Sequence, residues 1–156
     1  MKIHLGSDHA GFNLKNRLAA HLKACGHSVD DHGVHTPDRA DYPDLAAPVG
    51  RAVRDDASSL GVLVCGSGLG ICMAANKIRG VRAAAAWNTE SARLARAHNN
   101  ANVICMGERL IPEADAIPIL DAFLGATFED GRHGIRIDKL TKLEAAESDS
   151  TGNVGS

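Results

Sequence analysis

Aromatic side chains are scarce in this chain, with one Trp, one Tyr and three Phe among 156 residues. So few rings supply no stacking platform for single-stranded nucleic acid. An excess of one charge is missing as well. Seventeen Lys and Arg stand against nineteen Asp and Glu, a formal net charge of -2, so electrostatics advertise neither a nucleic-acid nor a membrane partner. No run is long or apolar enough to span a bilayer, and Met1-Lys2-Ile3-His4-Leu5 enters a strand rather than a signal peptide. Cysteine is sparse and irregularly placed. Cys25, Cys65, Cys72 and Cys105 form no C-x-x-C pair, and no His/Cys/carboxylate run has metal-ligand spacing, so neither a metal nor a cofactor is expected. The four read as reduced thiols of a cytoplasmic protein, three of them in the core.

What the chain has in quantity is material for one core: 44% of its residues are hydrophobic. Strand-like and helix-like segments alternate from the first residue. Residues 2–7 form an apolar strand. Leu14, Leu18, Leu22 and Cys25 recur at helical spacing up to Gly26. Residues 28–31 read as a second strand, and 33–41 as a polar loop. Residues 42–55 read as a helix opened by Pro43. The strongest strand, 60–65, precedes a helix over 69–78; a small-residue strand over 81–87 precedes a helix over 89–98. A strand over 102–106 and a helix over 112–124 follow, with Pro118 expected to kink or split that helix. A last helix covers about 136–147. The domain is therefore placed at 1–147, and the Ser/Gly/Asp-rich tail 148–156 is expected to be disordered. Repeated βα units with short connections predict a three-layer, Rossmann-like α/β domain, a parallel sheet of about five strands with helices on both faces.

Ligands of such sheets bind beyond the C-terminal ends of the strands. Asp8 and His9, residues 65–70, Asn88, and residues 107–109 all fall at that rim. The segment Cys65-Gly66-Ser67-Gly68-Leu69-Gly70 carries the most information. It puts a thiol where a buried strand hands over to a helix N-terminus, whose free N–H groups and dipole favour thiolate. The glycines let the backbone curl around an anion. The segment is neither a dinucleotide fingerprint, which would need glycine where Ile71 stands, nor a Walker loop, since no Gly-Lys-Ser/Thr follows. A base beside an anion cradle suits proton transfer next to a developing oxyanion.

Other candidates carry a structural reading alongside the functional one. Asp8 can be a helix cap; His9 beside it favours function. His98, at the end of a helix, can simply complement the dipole. Arg132 and Arg136 stand four apart beside His133 and, if helical, share a face. They make either a phosphate clamp or a solvated surface.

Ser7-Asp8-His9-Ala10-Gly11, Asp41-Tyr42-Pro43, Cys65-Gly66-Ser67-Gly68-x-Gly70, Ala74-Ala75-Asn76-Lys77, His98-Asn99-Asn100-x-Asn102 and Gly131-Arg132-His133 together resemble the type B ribose-5-phosphate isomerases. That family includes galactose-6-phosphate, allose-6-phosphate and some tetrose-phosphate isomerases, and the likeness runs from about residue 2 to residue 145. The resemblance implies a metal-free aldose–ketose isomerase working through a cis-enediolate. Cys65 would be the base. Some members use a glutamate just after the glycine turn instead; here that position is Ile71. Backbone N–H groups of Ser67, Gly68, Leu69 and Gly70, with Gly66 beside them, would form the oxyanion hole. His98, helped by Asp8, would open the furanose ring. His9, Arg132 and Arg136 would hold the phosphate, with Arg109 a further candidate; Tyr42, Asn99 and His133 would complete the substrate contacts. The family's site is completed by a neighbouring subunit, so a homodimer or tetramer is implied.

Ribose 5-phosphate is the default substrate, D-erythrulose 4-phosphate/D-erythrose 4-phosphate the runner-up, and allose 6-phosphate or galactose 6-phosphate third. Two readings of other classes compete. A nucleotide-binding regulatory module would use Asp30 or Asp31 to hold a ribose, and a thiol-redox protein would need Cys72 to resolve Cys65.

Overall fold

A computed structural model describes residues 1–150, with side chains through residue 147. Five strands, β1 (Lys2–Ser7), β2 (Ser28–Asp31), β3 (Leu60–Cys65), β4 (Ala83–Ala85) and β5 (Val103–Gly107), form one sheet in the order β2-β1-β3-β5-β4. Every pairing is parallel. β3 (Leu-Gly-Val-Leu-Val-Cys) is buried at every position, as a central strand covered on both faces must be. The edge strand β2 alternates exposed and half-buried residues instead.

The helices are α1 (Phe12–Ala24), α2 (Tyr42–Asp55), α3 (Leu69–Ala75), α4 (Thr89–Asn99), α5 (Ala116–Gly125) and α6 (Arg132–Ser150). Alternate residues of each strand feed opposite layers. Ile3, Leu5, Val62, Val64, Ile104 and Met106 pack on α1, α4 and α5. Leu63, Cys65, Val103 and Cys105 pack on α2 and α3. Phe123 and Leu120, both 0% exposed, are each worth about 1.5–3 kcal/mol by burial alone. No helix among the described residues is long and apolar enough to cross a membrane.

Four expectations change. Helix α5 starts at Ala116 rather than at residue 112, so Pro118 falls in its first turn, where a missing N–H removes no intrahelical hydrogen bond. Helix α6 begins at Arg132 and continues to Ser150, three residues into the stretch expected to be disordered; residues 151–156 lie outside the described part. Helix α3 stops at Ala75, where Asn76 turns its side-chain amide onto the Cys72 and Ala83 carbonyls. Cys25 is exposed rather than in the core, because it caps the end of α1 beyond the apolar stripe.

The chain leaves β1 for β2 on one side and returns to β3 on the other. The sheet therefore has its switch point between β1 and β3, where a crevice opens beyond their C-terminal ends.

Candidate active site

At that switch point β1 delivers Asp8 and His9, and β3 delivers Cys65 and the turn into α3. With Ala10, Tyr42, Gly66, Ser67, Gly70, Arg109 and Leu110 they line an open cleft of about 380 Å³. Cys65 is 4% exposed, and its Sγ accepts the Gly68 N–H at 3.1 Å. A hydrogen bond of this kind strengthens when the acceptor carries charge. It depends on the left-handed backbone of Gly68, at φ 78. Gly70 is required for a different reason: a β-carbon there would lie 2.8 Å from Tyr42 Cζ, so the phenol ring rests on bare backbone.

Asp8 is a helix cap that also faces the cleft. Its Oδ1 accepts the Ala10 and Gly11 N–H groups at 2.9 and 3.1 Å, capping the short helical turn that follows β1. The same buried carboxylate lines the cleft. His9 is exposed and meets the Ala40 carbonyl through Nδ1 at 3.2 Å, tying the 33–41 loop to the cleft wall. The backbone N–H of Arg109 donates to the Gly66 carbonyl at 3.0 Å, which holds this cation beside the glycine turn. Of the four N–H groups expected to face an oxyanion, Gly68 is engaged by Cys65 and Leu69 by the Ser67 hydroxyl at 3.2 Å. The oxyanion expectation narrows to the N–H groups of Ser67 and Gly70. Asn88 is a helix cap: its Oδ1 accepts the Ser91 N–H at 2.8 Å.

The remaining candidates do not join this cleft within one chain. Helix α4 starts from Asn88, after the C-terminal end of β4, and runs back against the strand direction for 11 residues, about 16 Å. His98 and Asn99 therefore stand near the opposite rim, where β5 begins. The Glu129 N–H donates to the Ala97 carbonyl at 2.9 Å, which brings the start of α6 to the same place. There the His98 and His133 rings stack at 4.1 Å with planes 10° apart, and His98 Nε2 lies 3.4 Å from Glu129 Oε2. Arg132 Nε approaches His133 Nε2 at 3.4 Å, and Arg136 follows one turn on. Burial, then the neighbouring His98, Arg132 and Arg136, push the His133 imidazole below its ordinary pKa, against the pull of Glu129. Cation-rich and half-exposed, this cluster suits an anion, but its own cleft is out of reach.

Glu129 escaped the sequence reading, although it precedes His133 by four residues. So did His4, which joins Asp30 and His32 in a cluster with converging ligand atoms; a second such group is His98, Glu129 and His133. Linear ligand spacing does not reveal groups assembled from separate strands. The signal available was that Asp30 and His32, two apart, share one strand face.

The competing readings lose their residues. The Asp31 carboxylate pairs with the buried Lys15 ammonium and accepts the Gly33 N–H at 2.9 Å, while Asp30 faces His4 and His32. Neither stands ready for a ribose hydroxyl. Cys72 points its Sγ at the Ala83 carbonyl, 3.4 Å away, so it serves α3 packing rather than Cys65.

A family model described as Ribose/Galactose Isomerase matches residues 3–140. The chain is 45% identical over 144 residues to the probable ribose-5-phosphate isomerase B of Mycoplasma genitalium, covering 91% of this chain and 95% of that protein. It is 43% identical over 143 residues to the ribose-5-phosphate isomerase B of Escherichia coli, covering 92% and 96%. Among solved structures, ribose-5-phosphate isomerase B of Clostridium thermocellum superposes with a TM-score of 0.92 at 44% identity, covering 94% of this chain and 99% of that one. The Mycoplasma genitalium enzyme with bound ribulose-5-phosphate gives 0.90 at 44% identity, covering 92% and 96%.

Proposed function

The chain belongs to the ribose/galactose isomerase family, and we propose that it interconverts ribose 5-phosphate and ribulose 5-phosphate with Cys65 as the base. The observation that carries this reading is the buried Cys65 sulfur, bonded by a backbone N–H and set in the cleft at the sheet's switch point. Relatives named ribose-5-phosphate isomerase B, one with ribulose-5-phosphate bound, support the five-carbon substrate.

In the aldose-to-ketose direction the Cys65 thiolate removes the C2 proton of the open-chain sugar. The C2 electron pair forms the C1=C2 double bond, and the C1 carbonyl oxygen becomes the enediolate oxygen. The Ser67 and Gly70 N–H groups are positioned at the rim to stabilise that oxygen. The resulting thiol returns the proton to C1, and the C2 hydroxyl proton passes to the C1 oxygen, leaving a ketone at C2 and a hydroxyl at C1. Asp8, whose carboxylate is fixed by two backbone N–H groups, orients the sugar hydroxyls. Ring opening by His98 and phosphate capture by Arg132 and Arg136 come from a second copy of the chain, because the chain's own set stands at the far rim.

The surface supports that assembly. Leu69 and Met73, one turn apart on α3 beside the cleft, are 50% and 66% exposed. Leu140 and Leu143 on α6, the helix that begins with Arg132, are 50% and 63% exposed. A soluble chain gains by covering such apolar faces. A two-fold contact through them would set each Cys65 cleft beside the partner's cationic cluster. Four free cysteines suit a reducing, cytoplasmic setting.

The test is an assay of the pure protein on four-, five- and six-carbon aldose and ketose phosphates. Highest kcat/KM on ribose 5-phosphate is expected; a clear preference for a four- or six-carbon sugar would refute the substrate while keeping the chemistry. Arg132→Ala and Arg136→Ala should raise KM about 10–100-fold with little change in kcat. Each removes a charged contact made equally in ground and transition states. A loss confined to kcat would place these arginines at the reacting carbons instead.

A further inference from the structure

The cluster of His4, Asp30 and His32 takes no part in the reaction above, and its geometry is that of a ligand set. His4 lies on β1 and Asp30 directly opposite it on β2. His32 follows one residue after β2, on the same face as Asp30. His4 Nδ1 and His32 Nε2 are 3.0 Å apart, and Asp30 Oδ2 lies 3.4 Å from the first and 3.7 Å from the second. Ligands about 2.0–2.1 Å from one tetrahedral ion stand about 3.3 Å from each other, and these three separations bracket that value.

The tilt of the two rings is compatible with such a set. A metal ion bound by imidazole lies in the ring plane, so two ligating rings must have planes that converge on it. The His4 and His32 planes are tilted by 47°, with centroids 5.2 Å apart. The other cluster fails this test: His98 and His133 stack nearly parallel, so no ion fits in both planes. Burial grades in the right order as well. His4 is 2% exposed, while the His32 and Asp30 side chains are 21% and 50% exposed, leaving a solvent side through which an ion can enter.

We propose that His4 Nδ1, His32 Nε2 and Asp30 Oδ2 form a binding site for a zinc-class divalent ion, with water as the fourth ligand. Two imidazoles and one carboxylate select borderline transition ions over magnesium or calcium, which prefer all-oxygen sets. Two features weaken the site. Lys2 Nζ, 3.9 Å from Asp30 Oδ2, must give way. Coordination through Nδ1 also leaves the ring proton on Nε2, which is buried without a partner. Affinity should therefore fall below that of a four-ligand structural zinc site. The bound ion would pin the edge strand β2 to β1 and anchor the start of the 33–41 loop, whose Ala40 carbonyl meets His9.

The experiment uses metal-stripped, full-length Cys25→Ser protein, so that the exposed thiol beside His21 supplies no ligand. Zinc is titrated by calorimetry, thermal midpoints are read with and without zinc, and cobalt(II) is added to read its visible absorption. One equivalent of zinc should bind, the midpoint should rise, and cobalt should give the intense absorption of a four-coordinate ion. His32→Ala or Asp30→Asn should weaken zinc by roughly a hundredfold or more, beyond what losing an outer-shell partner costs. Both are partly exposed, so the fold should survive in each, checked by the zinc-free midpoint. His98→Asn should bind zinc as the parent does. No binding by the parent, undiminished binding in His32→Ala, or loss of binding in His98→Asn would overturn the proposal.

Discussion

Cys65→Ser is expected to keep the fold and the affinity for ribose 5-phosphate while kcat falls about 10²–10⁴-fold, the usual contribution of a positioned general base. The serine oxygen fits the space of the buried sulfur and can accept the same Gly68 N–H. It cannot replace the thiolate, because an alkoxide is too costly to form at neutral pH. No other side chain takes over at the glycine turn. Position 71, where a glutamate would stand in the alternative arrangement, holds Ile71, 0% exposed. Turnover on ribose 5-phosphate and calorimetric binding of the same sugar, measured on one preparation, separate the two effects. If kcat stays within about tenfold of the parent, the base assignment fails and Asp8, the carboxylate lining the cleft, becomes the candidate.

Much of the architecture was legible because the chain states it locally. The valine-rich run into Cys65, the alternation of strand and helix periods, and the position of Gly26 each rest on neighbours a few residues apart. The cleft was legible for the same reason, since parallel βα units send every strand end to one rim. What stayed hidden depends on distance in three dimensions. The resemblance assigns His98 to the same site as Cys65, yet the direction of α4 carries it to the other end of the sheet within one chain. Glu129 reaches His98 only because the Glu129 N–H is held by the Ala97 carbonyl. His4 reads as a polar interruption in an apolar strand until β2 pairs with β1 and sets Asp30 opposite it. Pro118 misled because its effect depends on helix phase: a proline in the first turn removes no hydrogen bond.

The distance between the two clusters yields the second large effect. His98→Asn should lower kcat on ribose 5-phosphate by about 10²–10⁴-fold, since asparagine cannot exchange the ring proton. The variant should match the parent to within about tenfold on a tetrose phosphate, which has no furanose ring to open. Equal losses on both substrates would remove the ring-opening role. Subunit sharing is tested by combining this variant with Cys65→Ser in one cell. If each site takes Cys65 from one copy and His98 from its two-fold mate, a mixed dimer holds one intact site and one doubly damaged site. Random pairing makes half the dimers mixed, so the co-expressed preparation should recover about a quarter of parental activity from two nearly inactive chains. Recovery cannot arise if each chain builds its site alone, because every site would then lack either the thiol or the imidazole. Activity no higher than the average of the two variants would therefore exclude the shared site. The 16 Å span of α4 makes recovery the expected result: within one chain the imidazole and the thiol stand at opposite ends of the sheet.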